Sequence, residues 1–352
     1  MSRAARLSAT LFKVSRIESL QATSGGPVLP KSCFEKPLHG VKLALRGARC
    51  ERAQAPGQDV AGILDVWRED AKPKLIADPI WLKEDKGERF ASLLRLSKTP
   101  RGLSLEIDCE GKGHFEYTPE GLGIYWAEGG TGPAHYLQSL GLSLWLEQRG
   151  LPCIHANALA VDGFSIGLIA PSQAGKTTLS AALLEQGMQL MTDDMLALYP
   201  DEDSWTVYPG WPQLRMWPDS VQRYVAANKQ VLSKVHHRFD KRIVGVESIG
   251  FCTGSRPLKQ LFLLERRQGV KAGRGEVRIE TISPSEAMIH LLQNSILGDA
   301  YKALRIESSR LKALARLVSQ VPFKKLSYPS GEESLPWVCE EIKRDLVQLR
   351  KC

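Results

Sequence analysis

The run Ala170-Pro171-Ser172-Gln173-Ala174-Gly175-Lys176-Thr177-Thr178 constrains this chain more than any other feature. It has the spacing of a phosphate-binding loop, with Ala170 where the first glycine of such a loop usually stands. A tight turn of backbone N–H groups ahead of a helix makes an anion cradle, to which Lys176 adds a cation and Thr177 a hydroxyl placed for Mg²⁺. The flanks agree with that reading. Phe164 to Ile169 is a short apolar strand, and the stretch from Thr177 to Gln186 sets Leu179, Leu183 and Leu184 at helical spacing before Gly187 closes it. Strand, loop and helix in that order predict a bound nucleoside triphosphate.

The neighbouring segments restrict the sheet that carries the loop. Upstream, Cys153 to Val161 is a second apolar run, joined to the strand at Phe164 by Asp162-Gly163, a two-residue hairpin signal. The two strands are expected to be antiparallel with Val161 facing Phe164, and counting outward brings His155 opposite Ala170 at the mouth of the loop. A histidine there either meets the phosphates or is held by a backbone partner without chemistry. The hairpin argues against a doubly wound sheet, whose strands at this point are parallel and joined by helical crossovers. Downstream, Gly187 to Asp194 reads as a short buried strand ending in the paired carboxylates Asp193 and Asp194. A helix followed at once by a strand returns the pair to the loop's edge of the sheet, where one carboxylate can hold Mg²⁺ and the other accept a hydroxyl proton. The plainer alternative is a solvated turn before Met195 to Tyr199.

Ile154-His155-Ala156, the loop from Ala170 to Thr177, and Gly187 to Asp194, at these intervals, resemble the HPr serine kinase/phosphorylase family and its kinase-related relatives. Those proteins share a nucleotide fold with phosphoenolpyruvate carboxykinase. The resemblance is close from Leu151 to Tyr199 and looser to about Lys325. It implies an α/β, mixed-sheet P-loop fold of the HPr kinase and phosphoenolpyruvate carboxykinase type, preceded by a small β-rich N-terminal region. It also implies ATP and Mg²⁺ as cofactors, with Lys176 at the phosphates and Thr177 at the metal. One Asp would serve the metal and the other, with His155, would activate the acceptor hydroxyl; we place Asp193 as the base and Asp194 toward the metal. The expected reaction moves the γ-phosphoryl group of ATP to a serine or other alcohol of a peptide or protein. A small metabolite such as free serine is the alternative acceptor, and a non-catalytic ATP-binding regulator is the alternative class. The family often forms oligomers, so a homo-oligomer fits.

Two departures bear on the acceptor. Ala170 replaces the usual glycine. The bifunctional members carry Glu-x-Arg-Gly-x-Gly after the Asp pair, where this chain has Tyr208-Pro209-Gly210-Trp211-Pro212-Gln213-Leu214-Arg215-Met216-Trp217-Pro218. Dephosphorylation, and HPr as acceptor, are therefore not carried over. Arg215 between two tryptophans suits a phosphate or acceptor contact, and a Trp-anchored loop packed on the core accounts for it equally well. The basic cluster Lys234, His236, His237, Arg238, Lys241 and Arg242 reads either as a clamp, with Lys241 and Arg242 closing over the phosphates, or as a solvated loop face. His236-His237 does not suit zinc, because adjacent side chains point apart and no Cys stands at ligand spacing.

The 352 residues, 43% hydrophobic, suffice for more than one packed core. Net charge is +8, yet Lys and Arg are interspersed with acids rather than striped with aromatics, so an acidic ligand such as ATP is expected and nucleic acid is not. No segment has the apolar length to span a bilayer, and no membrane role is expected. Seven cysteines show neither pairing nor metal spacing, which fits a reducing cytoplasm. Met1 to Arg16 carries four basic residues and no acid; a weakly ordered start explains it better than a transit peptide.

Three regions are expected: 1–74, poorly defined, with a possible helix at Val60 to Trp67; 75–132, a small antiparallel β region containing strands Leu103 to Cys109, His114 to Tyr117 and Gly121 to Trp126; and 133–352, the nucleotide-binding domain. The last should open with a helix from His135 to Gln148, buried on more than one side. It should continue through a strand at Leu258 to Glu265, an edge strand at Glu276 to Ile282, and a helix capped by Ser283 with Pro284 in its first turn. Helices at Ser308 to Ser319 and Leu335 to Leu349 should complete it.

Overall fold

The computed structural model describes residues 29–46, 60–86, 91–171, 174–216, 218, 221, 234–236, 239–246 and 250–349. Its first sheet has seven strands: β1 Val41–Leu45, β2 Gly62–Arg68, β3 Trp81–Asp85, β4 Ser92–Thr99, β5 Gly102–Asp108, β6 Lys112–Thr118 and β7 Gly121–Trp126, in the order β1-β2-β7-β6-β5-β4-β3. β3 to β7 form an antiparallel meander. β1 and β2 extend it by parallel pairing, β1 on β2 and β2 on β7, so Val41–Leu45 and Gly62–Arg68 belong to the same sheet. The helix expected at Val60 to Trp67 is therefore a strand. Leu64 and Val66 are buried while Ile63 and Asp65 are exposed, a period of two that a helix cannot produce.

The apolar face of this sheet packs on a helical segment running from Pro133 to Glu147. That segment is not a uniform α-helix. Leu137–Gly141 forms a π-turn, where the Tyr117 hydroxyl donates to the Gly141 carbonyl at 2.9 Å and a methyl group on Gly141 would lie 3.1 Å from Leu137 Cδ1. The carbonyl has a side-chain partner there, and Gly141 gives the neighbouring turn room to pack. Beyond it every residue from Leu142 to Glu147 is buried, as the all-round leucines lead one to expect.

The chain then adds β8 Cys153–Ile154, β9 Ala156–Val161, β10 Phe164–Ile169, β11 Gln189–Thr192, β12 Leu196–Ala197, β13 Tyr199–Pro200, β14 Trp205–Val207, β15 Gln213–Met216, β16 Lys234–His236, β17 Phe239–Gly245, β18 Arg256–Arg267, β19 Arg278–Thr281 and β20 Phe323–Pro329. β10, β18 and β20 run parallel. β9 is antiparallel to β10, and β11 to β9, so the sheet is mixed and the fold is α/β. The ends of β10, β11, β18 and β20 consequently share one edge. One face is covered by helices Lys176–Glu185 and Leu335–Leu349, through Leu179, Leu183, Val338 and Ile342. The other is covered by helices Pro284–Gln293 and Glu307–Gln320, through Leu291, Leu314 and Leu317. As expected, Ser283 caps the former of these, its Oγ accepting the Glu286 N–H at 3.2 Å. Among the described residues no helix is long and apolar enough to cross a membrane, and Cys33, Cys109, Cys153, Cys252 and Cys339 are free thiols.

Candidate functional site

The hairpin register places the site. Asp162 and Gly163 have φ of 49° and 87°, the doubly left-handed turn that Asp-Gly favours. Val161 pairs with Phe164 and the ladder runs out to Ala156 opposite Ile169. The ladder ends there, one residue short of the His155–Ala170 pair that strand counting expects: His155 lies at a bend just before β9, and its N–H donates to the Asn294 carbonyl at 2.7 Å. Ala170 is fully buried in the core and does not share the left-handed φ of Gly175, so its methyl is accommodated without strain. Gly175, at φ 93°, is the residue of the loop that must be glycine. Helix Lys176–Glu185 starts there. Lys176, 6% exposed, donates from Nζ to the Ala170 carbonyl at 2.7 Å and ties the end of the loop to its beginning. Pro171, Ala174 and Thr178 are described; Ser172 and Gln173 lie outside the described residues.

β11 delivers the paired carboxylates to the same edge. Thr177 Oγ1 donates to Asp193 Oδ1 at 3.1 Å, and the Arg215 backbone N–H donates to Asp193 Oδ2 at 2.8 Å. Asp194 is held differently. Its backbone is left-handed at φ 69°, its N–H donates to Asn157 Oδ1 at 3.2 Å, and its carboxylate meets Arg215 Nη1 at 3.4 Å. The His155 ring reaches this turn too, with Nδ1 3.0 Å from the Asp194 carbonyl oxygen. A carbonyl only accepts, so Nδ1 carries the proton. His155 thus has the backbone partner of the plainer reading. The paired acids end a strand against the phosphate loop, which a turn confined to the surface would not do.

Several residues that strand counting does not reveal complete the arrangement. Asn157, fully buried on β9, donates to Ser180 Oγ at 2.9 Å and accepts from Asp194, locking the loop helix to the Asp turn. Gln138, in the π-turn, accepts from Arg215 Nη2 at 3.2 Å and from Gln213 Nε2 at 3.3 Å. On the opposite flank, a methyl group on Gly175 would lie 3.4 Å from Arg266 Cδ and 3.7 Å from the Tyr328 hydroxyl. Burial pushes the Tyr328 phenol up to about 12, so it stays a neutral donor near neutrality. An Asn on a strand between alanines was the one sequence sign of these; Arg266 and Gln138 carry none.

Of the basic cluster, His237 and Arg238 lie outside the described residues, as do the side chains of Lys234, His236 and Lys241. β15, β17 and β16 form a separate three-stranded sheet in which Arg215 pairs with Ile243 and Met216 with Arg242. Alternation sets Arg242 on the sheet face opposite to Arg215.

The loop that carries Arg215 is pinned from the N-terminal region. His39, 3% exposed and at φ 50°, donates its N–H to the Pro209 carbonyl at 2.7 Å. A methyl group on Gly210 would sit 2.7 Å from both His39 Cε1 and Thr192 Oγ1, so only glycine passes between them. Burial pushes the His39 imidazole down to about 3 from 6.5. The folded chain holds it neutral while the unfolded chain takes a proton as pH falls through 6.5. Its contribution is thus complete above 6.5 and is lost progressively toward 3. Between pH 7.5 and 5 the loss is about 2 kcal/mol. The unfolding free energies from urea titrations at the two pH values are expected to differ by that much less in His39→Asn, which tolerates the left-handed backbone. An equal pH loss in both proteins contradicts the assignment.

The loop from Ala170 to Thr177, a Thr177–Asp193 pair, Asp194 and a histidine thus gather at one edge of a mixed α/β sheet. No protein-family model matches the chain, and no curated protein does. Among solved structures, the Hpr(Ser) kinase/phosphatase from Coxiella burnetii is similar to it at 14% identity and a TM-score of 0.32, over 56% of this chain and 98% of that one. The functional reading therefore rests on the geometry of this chain.

Proposed function

We propose that the chain is an ATP- and Mg²⁺-dependent kinase transferring the γ-phosphoryl group to an alcohol, the serine hydroxyl of a peptide or protein. The observation that carries this is the 3.1 Å contact of Thr177 Oγ1 with Asp193 Oδ1 at the end of the phosphate loop, with Asp194 and His155 beside it. Among the described residues no cluster of three or more His, Cys, Asp or Glu is placed to hold a metal. Mg²⁺ does not need one, since it binds through one or two carboxylates and completes its shell with water and substrate phosphates. A hydroxyl touching a carboxylate beside an anion cradle fits that requirement. When bound, Mg²⁺ neutralises charge on the β- and γ-phosphates.

The chain's own residues supply the rest. The helix N-terminus and Lys176 hold the phosphates, and Arg215 holds both carboxylates in place. The Thr177 contact supports Asp193, rather than Asp194, as the carboxylate at the metal. Asp194 and His155 are then the groups that orient and deprotonate the acceptor hydroxyl. This exchanges the roles expected for the two acids.

The test incubates the protein with γ-labelled ATP, Mg²⁺ and a soluble cell extract, beside Lys176→Ala. Acid-stable, alkali-labile label on a peptide or protein, absent with Lys176→Ala, is the expected result. Label confined to small molecules moves the acceptor to a metabolite, and ATP binding without any label leaves a nucleotide-binding regulator.

A further inference from the structure

The two flanks of the phosphate loop are chemically different. On the flank of β9 and β11 stand Thr177, Asp193, Asp194 and His155, the groups that the kinase reading assigns to the metal and the acceptor. On the flank of β18 and β20 stand Arg266, Tyr328 and Ser330. β18 outruns its partner: Leu263 is the last of its residues paired with β10, opposite Ile169, and Arg266 lies three residues further on. At about 3.3 Å per residue that advance carries Arg266 roughly 10 Å past the strand end, alongside the loop itself. Its Nη1 comes within 3.5 Å of where a methyl group on Gly175 would be.

The guanidinium is not left to swing. Nη2 donates to Ser330 Oγ at 2.7 Å, Arg266 pairs in register with Tyr328 on the parallel strand β20, and the Tyr328 hydroxyl reaches the same side of Gly175. An arginine held at both its backbone and one nitrogen, with its plane beside a phosphate loop, is preorganised for a ligand. In open α/β sheets ligands lie in the crevice outside the carboxyl ends of parallel strands, and β10, β18 and β20 are the parallel strands here.

A triphosphate laid across this loop has one end that must reach the carboxylates. Phosphoryl transfer requires the γ-phosphate near Asp193 and Asp194, so the nucleoside lies on the other flank. We infer that Arg266, held by Ser330 and flanked by Tyr328, forms the subsite for the nucleoside end of ATP, a contact to ribose or base rather than to the β- and γ-phosphates. This rests on the kinase reading for the polarity of the nucleotide. The guanidinium offers a planar face for the base and donors for ribose oxygens.

The discriminating probes are Mg-ATP and Mg-tripolyphosphate, which share the phosphate chain and differ in the nucleoside. Calorimetric titration of the full chain with each is compared for the native protein, Arg266→Ala and Arg266→Gln, with thermal melts confirming that the variants fold. Arg266→Ala is expected to weaken ATP about tenfold or more while tripolyphosphate binding stays within about twofold. Arg266→Gln, which keeps a donor for Ser330 but loses the charge and the planar fork, is expected to weaken ATP by a smaller factor. Equal loss of both ligands overturns the inference by placing Arg266 at the phosphates, and unchanged ATP affinity overturns it outright while the kinase reading stands. A native protein that binds tripolyphosphate but not ATP overturns both.

Discussion

Asp193→Asn is expected to lower the rate of phosphoryl transfer by about a thousandfold, the equivalent of about 4 kcal/mol of lost charge stabilisation in the transition state. Asparagine keeps the shape and one carbonyl oxygen, so it can still accept from Thr177 or from the Arg215 N–H, which now hold the two oxygens separately. What it loses is the charge that a metal beside Thr177 requires. The variant should therefore need far more Mg²⁺ to bind ATP with native affinity, and its melting temperature should change little. Asp194→Asn separates the two acids. Its carboxylate faces Arg215 and its backbone carbonyl faces His155, whereas the Thr177 hydroxyl donates to Asp193. It should lower turnover while leaving the Mg²⁺ dependence of ATP binding as in the native protein. Measured Mg²⁺ titrations of ATP binding in both variants decide between them: an unchanged requirement in Asp193→Asn, or a raised one in Asp194→Asn, returns the acids to the roles first expected. Full activity in Asp193→Asn removes the kinase assignment altogether.

The parts of this site that could be read from the chain are those governed by local rules. Asp162-Gly163 dictates a hairpin, and the hairpin dictates register as far as Ala156 opposite Ile169, the residues next to His155 and Ala170. The same logic holds for the helix after the loop and for Ser283 as a cap, each specified within a few residues. Arg266 was illegible because its position depends on how far β18 outruns β10, a quantity set by pairing between strands about ninety residues apart in the chain. Gln138 was illegible for another reason. The leucine stripe predicts a regular helix, and only the tertiary demand of Tyr117 for the Gly141 carbonyl accompanies the wider turn that turns Gln138 toward Arg215. At Val60 to Trp67 short apolar runs fit both periods, and the neighbouring strand β7, which supplies the partner for β2, decides for the strand. His39 lies well over a hundred residues before the loop, yet it and Thr192, one residue before the carboxylates, close on the same side of Gly210.

Arg310→Met is expected to destabilise the fold by about 3–5 kcal/mol, the largest stability effect of any single replacement considered, because it strands a buried charge. Glu147 and Arg310 are 3% and 5% exposed, and Arg310 Nε donates to both carboxylate oxygens, at 3.0 and 3.1 Å. Burial raises the Glu147 carboxyl above its ordinary range, and Arg310 opposes that rise. The guanidinium also lies 4.4 Å from the Tyr301 ring, and Glu147 Oε1 accepts the Cys153 N–H at 2.8 Å. One ion pair thus joins the helical segment under the first sheet, the helix Glu307–Gln320, and the strand that leads to His155. Removing Arg310 leaves the carboxylate desolvated with only the Cys153 N–H and the Tyr301 hydroxyl as neutral donors, whereas removing both charges leaves no buried charge uncompensated. Urea unfolding of Arg310→Met, Glu147→Leu and the double variant distinguishes a desolvated charge from lost packing. The double variant should recover most of the loss, since replacing a buried pair by apolar groups of similar volume is neutral or stabilising. A double variant as unstable as the sum of the singles would show that the pair contributes by packing alone. Because Cys153 opens the short strand that ends just before His155, the destabilised single variant Arg310→Met should also lose phosphoryl transfer, and the double variant should regain stability before activity if the Glu147 contact to Cys153 is what sets the position of His155.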